Sequence, residues 1–134
     1  MKLCVTATSA SFDAPIYPHF GRCLYFVIVD TDSMKFEILK NKSTSASNGA
    51  GIQAAQLIIK KEIDILITGF VGSNVFSILH SKGIENLIFT AGSVADAVQA
   101  YKDGILEKLE GPNSPENHFH RVQNRAYRRA IGLI

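Results

Sequence analysis

The sequence predicts an α/β fold, one mixed five-stranded sheet flanked by helices. Three observations predict it. Two strand-like segments, Cys23–Asp30 and Lys35–Lys40, are separated by the turn-forming Thr31-Asp32-Ser33-Met34, the pattern of an antiparallel hairpin. From residue 50 onward, helical periodicity alternates with short β-branched runs, which calls for parallel strands joined by right-handed crossovers. Hydrophobic residues make up 46% of the 134 residues and charged ones 19%, enough apolar material for one domain to bury a core.

The elements follow in chain order. Lys2–Thr8 reads as a first strand, and residues 8–22 as a long loop with Pro15, Pro18 and a closing Gly21. Cys23–Asp30 is the strongest strand signal, rich in aromatic and β-branched residues. It is apolar on both faces, so it should be the central strand. Lys35–Lys40 alternates and should be half exposed. A polar loop, Asn41–Gly49, precedes a helix over Ala50–Glu62 whose stripe is Ile52, Ala55 and Ile59, widened by Ala54 and Ile58. Ile63–Thr68 is a buried strand ending at Gly69. Gly72-Ser73 opens a helix with Val75, Phe76 and Leu79 on one face, stopped by Gly83. Ile84–Thr90 is the last strand. Ser93, with Asp96 three residues on, forms a capping box for a helix lined by Val94, Ala97, Val98, Tyr101 and Ile105. The order is β-β-β-α-β-α-β-α, and a ligand is expected at the carboxyl ends of the parallel strands.

Several function classes are excluded early. The longest apolar run, Leu24 to Val29, is too short to span a bilayer, and the N-terminus reads as a strand, not an export signal, so no membrane and a cytoplasmic location are expected. Two cysteines, Cys4 and Cys23, make no disulfide scaffold and are expected as thiols. Residues 1–115 carry ten Lys/Arg and eleven Asp/Glu, net −1, whereas residues 116–134 carry four Arg against Glu116, net +3. The near-neutral core argues against nucleic-acid binding. The basic tail reads as an amphipathic helix, reached through Gly111-Pro112-Asn113-Ser114-Pro115, that suits an acidic partner and should be separable from the core. Within it, His118-Phe119-His120 has metal-compatible spacing only on an extended chain. No P-loop, nucleophile elbow or metalloprotease helix is present, and no enzyme is expected.

Three loops carry the remaining chemistry. Gly49-Ala50-Gly51-Ile52-Gln53-Ala54 is a G-x-G-x-x-A string, but a polar loop precedes it and no acid follows about 20 residues on to hold a ribose. No nucleotide is expected; a Gly-rich helix N-terminus able to hold an anion remains, beside a plain turn. Pro18-His19-Phe20-Gly21-Arg22-Cys23 puts an imidazole, a guanidinium and a thiol within five residues. His19 and Cys23 suit iron, copper or zinc, and Arg22 would neutralise an anionic ligand. On residue chemistry alone the plainer reading is favoured: His19 in a loop, Arg22 solvated, Cys23 packed as a small hydrophobe. Gly69-Phe70-Val71-Gly72-Ser73-Asn74 would complete a rim at the same end of the sheet. His80, on a helix, reads as a surface residue.

On these strings the sequence resembles the dinitrogenase iron–molybdenum cofactor biosynthesis family, the NifX-like and NifB C-terminal-like domains. The likeness runs through Pro18–Arg22, Gly49–Ala55, Ile67–Gly69, Gly72–Asn74 and Gly92–Ala97, and covers residues 1 to about 110 as one cofactor-binding domain. It implies a ribonuclease H-like three-layer fold without nuclease activity. It also implies a non-enzymatic accessory protein that binds, carries or stores an iron–sulfur or iron–molybdenum-type cluster and exchanges it with donor or acceptor proteins. The family histidine maps to His19 as metal ligand, with Cys23 second. Arg22, Gly49, Gly51, Gly69, Gly72 and Asn74 would form the surrounding cofactor-binding rim. The alternatives are a protein-interaction module without metal and a small-anion-binding protein. The tail, 111–134, lies outside the resemblance.

Overall fold

The structure is a computed structural model and describes residues 1–42 and 49–113. Strands β1 (Lys2–Ala7), β2 (Tyr25–Asp30), β3 (Phe36–Lys40), β4 (Ile65–Thr68), β5 (Glu85–Ile88) and β6 (Glu107–Lys108) form one sheet in the order β3-β2-β1-β4-β5-β6. The hairpin is antiparallel, with Val27 opposite Ile38, and β2 also runs antiparallel to β1. The β1–β4 and β4–β5 pairs are parallel. β2 is interior, as its two apolar faces require, although the sheet centre falls between β1 and β4. The sheet is therefore six-stranded, not five-stranded as expected. The added strand has two residues, paired antiparallel with Leu87 and Ile88, and is too short to show alternation in the sequence.

Period-two alternation splits each interior strand between two cores. Along β1, Leu3, Val5 and Ala7 join one core and Cys4 joins the other. Helices α1 (Ala50–Lys60) and α2 (Ser73–Ser81) cover the Cys4 face with Ala54, Ala55, Ile58, Val75 and Leu79. Helix α3 (Val94–Lys102) covers the other with Val94, Ala97 and Val98. The result is three layers, helix–sheet–helix. The buried face of α1 is Ala50, Ala54, Ala55 and Ile58; Ile52 and Ile59 lie at its margin, a rotation of the expected stripe. The Ser93–Asp96 box forms in both directions, at 3.1 and 2.9 Å.

Beyond α3 the chain stays bound to the body. Leu109 is buried, and its N–H donates to the Asn86 carbonyl at 2.8 Å. Asn113, read in the sequence as part of a linker, is hydrogen-bonded to residues 69–71. The expected tail helix over 116–134 lies outside the described residues. Among the described residues, no helix is long and apolar enough to cross a membrane.

Candidate functional site

The carboxyl ends of β1, β4 and β5 share one end of the sheet, and the loop after β1 folds back across all three. Ile16 bridges to Ala7, Pro15 to Ser93, and His19 to Phe70. The Tyr17 N–H donates to the Thr6 carbonyl and the Ile16 N–H to the Gly92 carbonyl, both at 2.9 Å. Beneath the crossing, the buried Thr6 and Thr68 hydroxyls meet at 2.8 Å. The loop is thus held by the sheet as an extra strand would be, which fixes the backbone carrying His19.

Phe70 anchors the far side. Its N–H donates to the Pro18 carbonyl at 2.6 Å, and its own carbonyl accepts from the Phe20 N–H at 3.3 Å. Its ring lies 5.2 Å from the His19 imidazole, and Tyr17 meets the same imidazole edge-on at 6.2 Å. His19 itself is exposed. An imidazole supported from below and open above is placed to bond something from solution.

The glycines explain how the segments come this close. A Cβ on Gly69 would sit 2.6 Å from the Pro18 carbonyl oxygen, and one on Gly21 would sit 2.7 Å from the Gly51 Cα. The 3₁₀ turn Phe20–Arg22 therefore docks on the first turn of α1, glycine against glycine. A Cβ on Gly51 would also meet the Val75 side chain at 2.8 Å, where α1 packs on α2. In the G-x-G-x-x-A string, then, Gly51 permits close packing. Gly49 is the helix N-cap, with a left-handed φ of 72°.

Two helix N-termini border this loop. The first ladder bonds of α1 and α2 run from Gln53 to the Gly49 carbonyl and from Phe76 to the Gly72 carbonyl, each 2.9 Å. Both N-caps are glycine and neither helix has a side-chain cap, unlike α3. Their partial positive charge and that of Arg22, exposed at the end of the turn, favour an anion. Gly72 and Asn74 are exposed at the start of α2. The structure thus gathers His19, Arg22, Gly49, Gly51, Gly69, Gly72 and Asn74 around one end of the sheet.

Cys23 is placed elsewhere. Its exposure is 0%, and it packs with Phe20 and Phe26 in the core under α1 and α2. The Asn41 carboxamide donates to its carbonyl at 2.8 Å and approaches its Sγ at 3.8 Å. Burial pushes the thiol from 9.0 up to about 12, and burial likewise raises Cys4. Among the described residues, no three His, Cys, Asp or Glu side chains converge as a metal site. His80 is exposed in the last turn of α2, stacked on Phe76 at 5.6 Å, at the opposite end of that helix from Asn74.

The burial of Cys23 sets an expected result. Thiolate is the reactive form, so at pH 8 both cysteines should react with a disulfide reagent only as fast as the protein opens. The folded state holds the Cys23 proton more tightly than the unfolded chain does. Its contribution to stability is therefore complete below pH 9 and is lost as pH rises toward 12. Rapid labelling of native protein at pH 8 would contradict this placement.

Sequence reasoning missed Asn113. Its side chain and backbone make three hydrogen bonds to Gly69 and Val71. The Gly-Pro-Asn-Ser-Pro string signals a turn or linker, and nothing local in it points to a partner 42 to 44 residues away.

The comparisons with known proteins agree with one another. The sequence model of the family described as dinitrogenase iron-molybdenum cofactor matches residues 1–104. The apo orange protein of Desulfovibrio gigas is 37% identical, with a TM-score of 0.81 over 84% of this chain and 96% of that one. A Thermotoga protein proposed to be a NifB protein is 27% identical, with a TM-score of 0.76 over 84% of this chain and 97% of its own. An uncharacterised protein of Methanocaldococcus jannaschii is 29% identical over 96 residues, 69% of this chain and 81% of its own length.

Proposed function

This chain belongs to the dinitrogenase iron–molybdenum cofactor family, and from that premise we propose that it is a non-enzymatic carrier whose cargo is an anionic iron–sulfur or iron–molybdenum-type cluster. The observation that carries the reading is His19: an exposed imidazole on a sheet-anchored loop, supported by Phe70 and Tyr17, between two helix N-termini without side-chain caps. Imidazole is a suitable ligand for iron. Arg22 and the helix N-termini offset the negative charge of a sulfide-bridged cluster. A single protein ligand on an open surface suits a cargo that must be released again, and cluster donor or acceptor proteins are the corresponding partners. Cys23 takes part only if the core around it opens.

A second reading has its own support. Because Cys23 is buried and protonated, the same surface also suits a small oxyanion bound by Arg22 and the two helix ends, without any metal bond. Anaerobic reconstitution with ferrous iron, molybdate and sulfide, then elemental analysis after desalting, separates the two. The carrier reading expects retained metal and acid-labile sulfide in simple ratio to protein. Retention of molybdate alone, without iron or sulfide, would favour the oxyanion; retention of nothing would contradict both.

A further inference from the structure

We infer that Asn113 is the positioning residue for His19, acting through Phe70. The inference rests on the carrier reading only for its effect on cargo. The segment from Gly69 to Gly72 joins β4 to α2, has a glycine at each end and lacks regular structure. Burial of Phe70 and Val71 and the Phe70 backbone bonds hold it from the side of the His19 loop. Phe70, inside it, supplies both the backbone partner of Pro18 and Phe20 and the ring beneath His19.

Asn113 adds a second constraint, from the far end of the chain. Its Nδ2 donates to the Gly69 carbonyl at 3.0 Å, and its Oδ1 accepts from the Val71 N–H at 2.9 Å. Its backbone N–H donates to the Val71 carbonyl at 3.1 Å. One carboxamide thus brackets Phe70 on both sides in the chain. One end must donate and the other accept, so neither Asp nor Ala can replace it, and Gln is a methylene too long. The clamp has a firm base, because the chain reaches Asn113 from the buried Leu109.

The test reads His19 directly. Its ring-proton NMR signals are identified by their loss in His19→Ala, and the Phe70 ring current displaces them from unstructured positions. In Asn113→Ala they should move back toward those positions. The His80 signals, set by Phe76, should stay in place, and a thermal melt should show a retained fold. Affinity for ferrous iron plus sulfide should fall about fivefold, the weight of one neutral hydrogen bond. Asn113→Asp keeps the acceptor and loses the donor, so it should displace the His19 signals part of the way. Unmoved His19 signals in either folded variant would overturn the inference. So would unfolding of both, which would make Asn113 a residue of global stability. If wild-type protein takes up no iron and sulfide, the carrier reading fails, while the His19 signals still decide the role of Asn113.

Discussion

Gly21→Ala should destabilise the protein by about 2–3 kcal/mol, the upper range for overpacking a tight contact, whereas Gly72→Ala should cost at most about 1 kcal/mol, the weight of a poorer N-cap. The difference lies in what a new Cβ meets. At Gly21 it falls 2.7 Å from the Gly51 Cα and 2.9 Å from the Gly51 nitrogen, both backbone atoms of α1 that no rotamer change can move. Relief requires the 3₁₀ turn and the helix to part, which disturbs Phe20 in the core beneath them. At Gly72 nothing lies within 4 Å of the new Cβ, and φ is −71°, ordinary for any residue. In melting temperature the Gly21 effect is roughly 10 °C for a domain of this size. It should be accompanied by weakened cargo binding, because the same turn carries His19. Equal melting of the two variants would show that the turn stands off from α1.

His19→Ala should lower cargo affinity at least about tenfold, the least expected of losing a direct metal ligand when outer partners already cost that much. His80→Ala should leave affinity unchanged, since His80 sits on the far turn of α2. Neither change should alter stability much, because both side chains are exposed. The pair therefore controls for charge, histidine content and fold together. An anaerobic titration of both variants with ferrous iron and sulfide gives the answer, and equal affinities would remove His19 from the site.

The parts of the fold that were legible in the sequence are those written in local pattern. The hairpin follows from two β-rich runs and a turn, and the Ser93–Asp96 box is a reciprocal contact across one helical turn. The same patterns brought the loops of His19, Gly49 and Gly69 to one end of the sheet, since that is where parallel strands end. What was not legible depends on approach between distant segments. The role of Gly51 is set by Gly21 and Val75, which only the packed structure brings to it. The two residues of β6 acquire their conformation from β5. Asn113 looks like linker until its partners at Gly69 and Val71 are known. Cys23 is a candidate ligand through its thiol and the family resemblance, and on residue chemistry alone a small packed hydrophobe; the structure packs it in the core.

The central claim is that the cargo is held by His19. It is tested most directly by pulsed electron paramagnetic resonance on the reduced, iron–sulfide-loaded protein with ¹⁵N-labelled histidine. The account predicts a nitrogen hyperfine coupling from a metal-bound imidazole that persists in His80→Ala and disappears in His19→Ala. A loaded wild-type protein without that coupling, or one that keeps it in His19→Ala, would contradict the account.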